Sequence, residues 1–87
     1  MDPMFAEVVI TNPHGLHARP AAVMVEQLKA FDAEVRIETG QKTANAVSIM
    51  SVLALGAGPG DTARVHSEGP QAEAALEAVV AILTEEE

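Results

Sequence analysis

The chain has 87 residues, and its thirteen Asp and Glu against five Lys and Arg give it a formal charge of −8. This length predicts one domain, residues 1–87, that can form a hydrophobic core without metals or disulfides. The sequence contains no Cys, which excludes disulfides, thiolate metal sites and cysteine nucleophiles. Nucleic acid and anionic membranes both require a basic face, which so acidic a chain does not easily build, and we expect neither as a partner.

The first residues, Met1-Asp2-Pro3-Met4, lack the basic and apolar regions of a signal peptide. The second Met, at position 4, indicates an alternative start site or a cloning remnant in residues 1–4. No apolar run approaches the roughly 20 residues that span a bilayer.

Hydrophobic patterning predicts seven elements in the order βαββαβα. Alternating apolar and polar residues predict strands at 5–10, 33–38 and 62–67, and residues 42–46 can return as the second strand of a hairpin. Apolar stripes predict helices at 18–30, 49–55 and 71–84, with Pro20 in the first turn of the first helix and Ser48 near the N-cap of the second. Because each helix has one apolar stripe and each strand has one apolar face, the elements predict an α+β fold of two layers. A four-stranded antiparallel sheet would carry three helices on one face and leave the other to water.

The segment Gly15-Leu16-His17-Ala18-Arg19-Pro20 lies in the least acidic part of the chain and places His17 at the start of the first helix. Unpaired N–H groups at a helix N-terminus favour an anion there, and the Arg19 guanidinium can bind phosphate oxygens through two hydrogen bonds. The same helix end disfavours imidazolium, so we expect a neutral, nucleophilic His17. The chemistry that fits this arrangement is a phosphoryl group carried on His17.

Two simpler interpretations are open at this point. Short motifs recur by chance, so His17 could be an N-cap residue beside a surface arginine. His14 and His17 could also hold a metal ion, with His66 as a distant third ligand. Because no Cys and no suitably spaced carboxylate accompany them, we expect no metal site.

Two longer segments resemble one known family. Residues 12–22, Asn-Pro-His-Gly-Leu-His-Ala-Arg-Pro-Ala-Ala, resemble the active-site segment of HPr. The HPr family comprises the histidine-containing phosphocarrier proteins of the phosphoenolpyruvate-dependent sugar phosphotransferase system. Residues 42–56 are similar to the regulatory-serine signature of the same family. The two segments stand at the family's separation, and the resemblance covers the chain from Phe5 onward.

The resemblance implies an open-faced β-sandwich and a carrier protein rather than an enzyme, with no cofactor, that acts as a monomer in the cytoplasm. It implies that His17 accepts a phosphoryl group on Nδ1 from phospho-enzyme I and passes it to the IIA domain of a sugar permease. Arg19 matches the arginine that stabilises the phosphoryl group. Ser48 matches the serine that an HPr kinase modifies, through which relatives act on a catabolite-control transcription factor. From the residues alone, an N-cap serine that is never modified is an equal alternative.

The short second helix cannot bury all of its apolar residues. We therefore expect some of Ile49, Met50 and Leu53 to form an exposed apolar patch beside His17, where several partners dock. Isolated apolar residues on short helices are a simpler alternative. With the neighbouring positions of the first helix, the expected partner-contact residues are Ala18, Ala22, Val23, Ile49, Met50 and Leu53.

Three positions depart from the family pattern. His14 stands where relatives usually carry Asn or Ser, Glu26 where Lys or Gln is frequent, and Val23 where a polar residue is frequent. These changes argue against recognition of this chain by the enzyme I of a distant species. They do not affect the transfer chemistry. Other functions left open are a regulatory protein acting through phospho-Ser48, a nitrogen-branch carrier, and a module of a larger phosphotransferase protein. His17 argues against a purely regulatory relative, because such relatives typically replace that histidine.

Overall fold

The computed structural model describes residues 3–13 and 15–85, and within them the predicted element order is confirmed. The strands are β1 (Met4–Val9), β2 (Glu34–Thr39), β3 (Lys42–Asn45) and β4 (Thr62–Glu68). The helices are α1 (Ala18–Leu28), α2 (Ile49–Ala54) and α3 (Ala72–Leu83). The predictions made for Met1, Asp2 and His14 lie outside the described residues.

The four strands form one sheet in the order β1-β4-β2-β3, in which every neighbouring pair is antiparallel. Alternation along the strands separates the two faces of this sheet. Val35, Ile37 and Val65 are almost fully buried on the face that carries the helices, whereas Arg36 and Arg64 point to the opposite, open face. The predicted open-faced β-sandwich is therefore confirmed.

The helices bury the stripes that the sequence predicts. In α1 these are Ala21, Met24 and Leu28, and in α3 they are Ala72, Ala75, Leu76, Val79 and Leu83. The first helix ends at Leu28, two residues before the predicted end. The amides of Ala30 and Phe31 donate to the carbonyls three residues back, at 3.1 Å each, which tightens the chain into a turn. Within residues 3–13 and 15–85, no helix has the length and apolar character to cross a membrane.

The open face of the sheet carries polar and aromatic contacts. Arg64 Nη2 lies 2.9 Å from Glu38 Oε1, and the Phe5 and His66 rings contact each other at a tilt of 55° with centroids 5.1 Å apart. His66 lies on this face and is partly covered by Phe5. The open face is therefore separated by the sheet from the helical layer that carries the predicted site.

Candidate active site

His17 occupies the N-cap position of α1. Its backbone is extended, with φ −90° and ψ −173°, and its carbonyl accepts the first helical hydrogen bond from the Ala21 amide at 3.1 Å. The His17 side chain is exposed and does not cap the helix amides. Pro20 is buried in the first turn, where its fixed φ suits the helix and its missing N–H removes no bond. The imidazole therefore stands at the open end of a helix, as predicted.

The first turn of α1 offers backbone donors to an anion. The first N–H groups of any helix have no intrahelical partner. In the part of the chain that the structure describes, no acceptor contacts the amides of Ala18 or Arg19, and the first turn contains no acidic residue. The positive end of the helix dipole adds to this attraction for negative charge. A phosphoryl group on His17 would meet both donors.

Arg19 and His17 line the same cleft, which has a volume of about 450 Å³. Arg19 is exposed, whereas Asn12, which also lines the cleft, is 5% exposed. The full lining is Asn12, His17, Arg19, Pro20, Val23, Gln27, Ile82 and Glu85. The cleft thus brings together an imidazole, which can act as a nucleophile, and a guanidinium, which can bind phosphate oxygens through two hydrogen bonds. Asn12, Gln27 and Glu85 were not singled out from the sequence, because only the folded chain brings them to this cleft.

The turn before His17 is held by long-range backbone hydrogen bonds. The Leu16 amide donates to the Ala57 carbonyl at 3.0 Å, and the Thr11 amide donates to the Leu83 carbonyl at 3.0 Å. Gly15 has φ +65° and packs so closely that a Cβ atom there would lie 2.6 Å from the Ala57 oxygen. The approach to His17 is therefore fixed by two segments distant in sequence, the loop after α2 and the end of α3.

Ser48 is the N-cap of α2, as predicted. Its hydroxyl oxygen accepts from the Ser51 amide at 3.3 Å, and its backbone amide donates to the Asn45 carbonyl at 3.0 Å. The residue is half-buried. Its side chain therefore stabilises the helix whether or not it is modified.

The predicted apolar patch on α2 is exposed in part. Met50 is 77% exposed and Ile49 39%, whereas Leu53 is half-buried against the core. Val47, 44% exposed, adjoins them and was not predicted, because it precedes the helix and carries no periodic signal. Helix α2 packs against α1, on which the predicted contact positions Ala18, Ala22 and Val23 are also exposed.

The structure does not bring His17 and His66 together. His66 lies on the open face of the sheet, with Nε2 3.9 Å from Glu38 Oε1, whereas His17 lies in the helical layer. His14 is outside the described residues. A shared site for His17 and His66 is therefore excluded by the fold.

Comparison with known proteins decides the family. Residues 5–85 match the family model described as "PTS HPr component phosphorylation site". The chain belongs to the HPr family. It is 42% identical over 77 residues to the phosphocarrier protein HPr of Vibrio cholerae serotype O1, a match that covers 88% of this chain and 91% of that protein. This membership confirms the resemblance and makes the chain a phosphocarrier component of the phosphotransferase system, not a classical enzyme.

The chain is also similar to part of a longer protein and to a solved HPr structure. The chain is 43% identical over 82 residues to the multiphosphoryl transfer protein of Salmonella typhimurium; the match covers 90% of this chain but only 22% of that longer protein. The crystal structure of a phosphocarrier protein HPr from Bacillus anthracis superposes with a TM-score of 0.89 at 39% identity, covering 94% of this chain and 98% of that one. The HPr fold is therefore shared over nearly the whole chain.

Proposed function

We propose that His17 carries a phosphoryl group, received from phospho-enzyme I and delivered to the IIA domains of sugar permeases. The observation that carries this proposal is the joint position of His17 and Arg19 in one cleft at the N-terminus of α1. Of the histidines that the structure describes, His17 alone combines an exposed ring with a helix N-terminus. This placement supports His17 as the acceptor over His66.

In the proposed step, the lone pair of His17 Nδ1 attacks phosphorus while the bond between phosphorus and the donor group of phospho-enzyme I breaks, and that group leaves with the bonding electron pair. Arg19 and the amides at the start of α1 would hold the phosphoryl oxygens. The same contacts would serve the second displacement, in which a nucleophile on a IIA domain attacks phosphorus and the bond to His17 Nδ1 breaks. No separate base is needed if the imidazole is neutral at the start. The protein's contribution is positioning and charge stabilisation.

The test is labelling with enzyme I and [³²P]phosphoenolpyruvate. We expect the intact chain to acquire an acid-labile, base-stable label that His17→Ala abolishes. His66→Ala is the matched control and should be labelled like the intact chain, because His66 lies on the open sheet face. A His14→Ala variant tests the neighbouring imidazole and should also be labelled. Equal labelling of His17→Ala and the intact chain would remove the proposal.

We further propose that partners dock on the exposed apolar residues of α2 and its neighbour α1. The high exposure of Met50 and its flexible thioether suit a contact with several partner surfaces. Met50→Ala should raise the KM of enzyme I for this chain about fivefold, corresponding to ~1 kcal/mol. Phe5→Ala removes an apolar residue of similar exposure, 56%, from the open face and should leave KM unchanged. An identical effect of the two variants would contradict the docking site.

Ser48 is proposed as a regulatory phosphorylation site for an HPr kinase. A phosphate on its oxygen would stand at the N-terminus of α2, where the helix favours negative charge. It would also stand next to Met50 and oppose acidic partner surfaces. An ATP-dependent kinase should give an acid-stable label that Ser48→Ala loses and Ser51→Ala retains. Retention of the label in Ser48→Ala would assign the modification elsewhere.

A further inference from the structure

The loop between α2 and β4 contains a tight turn at Gly58-Pro59-Gly60-Asp61. The Asp61 amide donates to the Gly58 carbonyl at 3.1 Å, and Gly60 has φ +94°. Pro at the second position and a positive φ at the third are the features of a type II turn. The Asp61 carboxylate closes the turn from the other side, because its Oδ2 accepts from the Gly58 amide at 2.9 Å. Gly58 is thus bound to Asp61 through both its amide and its carbonyl.

This turn is bonded to both ends of the segment that leads to His17. At one end, the Ile10 amide donates to the Asp61 carbonyl and the Gly60 amide donates to the Ile10 carbonyl, each at 2.9 Å. At the other end, Ala57, directly before the turn, accepts from the Leu16 amide at 3.0 Å. Gly15 packs on Ala57 and Gly58 with no space for a Cβ atom. A shift of Gly58 would therefore also displace Gly15 and Leu16, the two residues directly before His17.

We propose that Asp61 is a positioning residue for phosphoryl transfer at His17. Its carboxylate holds Gly58, Gly58 and Ala57 hold Gly15 and Leu16, and these set the position of the imidazole at the start of α1. This inference rests on the proposed role of His17 as the phosphoryl acceptor. Displacement of a reacting group by a fraction of an ångström lowers the rate of transfer, because the attacking atom must lie in line with the donor bond.

The effect of Asp61 acts on the transfer rate and not on docking. The other hydrogen bonds of the turn use backbone atoms, which any residue supplies, so the side chain contributes the bond to Gly58 alone. Asp61→Ala should lower the kcat with which enzyme I phosphorylates the chain about three- to tenfold, the equivalent of one such hydrogen bond. KM should stay within about twofold. Asp61→Asn keeps an acceptor oxygen at the same place and should restore kcat.

Glu7→Ala is the matched control for removal of an acidic side chain. Glu7 is exposed on the open face of the sheet and should leave kcat and KM unchanged. Hydrogen exchange supplies a readout that does not depend on any partner. In Asp61→Ala the Leu16 amide should exchange faster, whereas the Ile37 amide in the centre of the sheet should keep its protection.

Three outcomes would overturn the proposal: an unchanged kcat in Asp61→Ala, with or without a rise in KM; failure of Asp61→Asn to restore the rate; and unchanged exchange at the Leu16 amide in Asp61→Ala. A rise in KM alone would mean that Asp61 contacts the donor directly. The proposed function fails by a different result, the labelling of His17→Ala. In that case, hydrogen exchange of the Leu16 amide in Asp61→Ala would still test the structural part of the proposal. Unchanged exchange would refute the role of Asp61, and faster exchange would support the conclusion that Asp61 stabilises the turn.

Discussion

Substitution of Gly15 by Ala should destabilise the chain through two separable effects. The first is backbone conformation, since an L-residue at φ +65° costs about 1–2 kcal/mol. The second is contact, because the new Cβ would lie 2.6 Å from the Ala57 oxygen and 2.7 Å from the Gly58 Cα, both backbone atoms. Moving them apart strains the Leu16–Ala57 hydrogen bond, so the second effect adds about 1–2 kcal/mol. The expected total is about 3 kcal/mol.

Gly40→Ala separates the two effects. Gly40 has nearly the same conformation, φ +58°, but nothing lies within 4 Å of the position its Cβ would take. It should therefore lose only the conformational part, about 1–2 kcal/mol. Urea unfolding monitored by circular dichroism gives the free energy of unfolding of both variants. Equal losses in Gly15→Ala and Gly40→Ala would refute the close packing of the active-site turn on the loop after α2.

The remaining predictions concern the phosphoryl contacts, the helix cap and the core. Arg19→Ala should lower the rate of phosphoryl transfer about 10- to 100-fold, because it removes charge-assisted hydrogen bonds to the phosphoryl group. Arg36→Ala removes an arginine from the open face and should leave the rate unchanged. Equal rates in the two variants would contradict the role of Arg19. Ser48→Ala should lower the free energy of unfolding in urea by ~1 kcal/mol and Ser48→Asp should restore it, and no loss would mean that the cap is unimportant. Met24 is 0% exposed, so Met24→Ala should lower the free energy of unfolding by about 2–5 kcal/mol in the same assay. Met50→Ala should lower it by less than about 0.5 kcal/mol, because Met50 is exposed. Similar losses in the two variants would contradict the assigned burial.

The secondary structure was predictable from local patterns. Alternation in β2 and β4 and the apolar stripe of α3 give the correct type and face for each element, because burial on one side produces those periods directly. Boundaries were less predictable. The end of α1 at Leu28 depends on a turn whose hydrogen bonds carry no sequence signal.

The part of the candidate site that comes from one short segment was predictable from the sequence. The part that depends on contacts between distant segments was not. His17 and Arg19 are two residues apart, so one helix start places both. The support from Ala57 and Asp61 was not foreseen, since it depends on hydrogen bonds between segments about forty or more residues apart. A Gly-Pro-Gly-Asp sequence indicates a turn, but it does not indicate what the turn contacts.

The most direct test of the account is to locate the phosphoryl group itself. The ¹⁵N-labelled chain, phosphorylated with enzyme I and phosphoenolpyruvate, is measured by long-range ¹H–¹⁵N and ³¹P NMR of the histidine rings. We expect phosphorus to be bonded to Nδ1 of His17 and the His66 signals to be unchanged. Phosphorus on another histidine, or on Nε2 of His17, would contradict it.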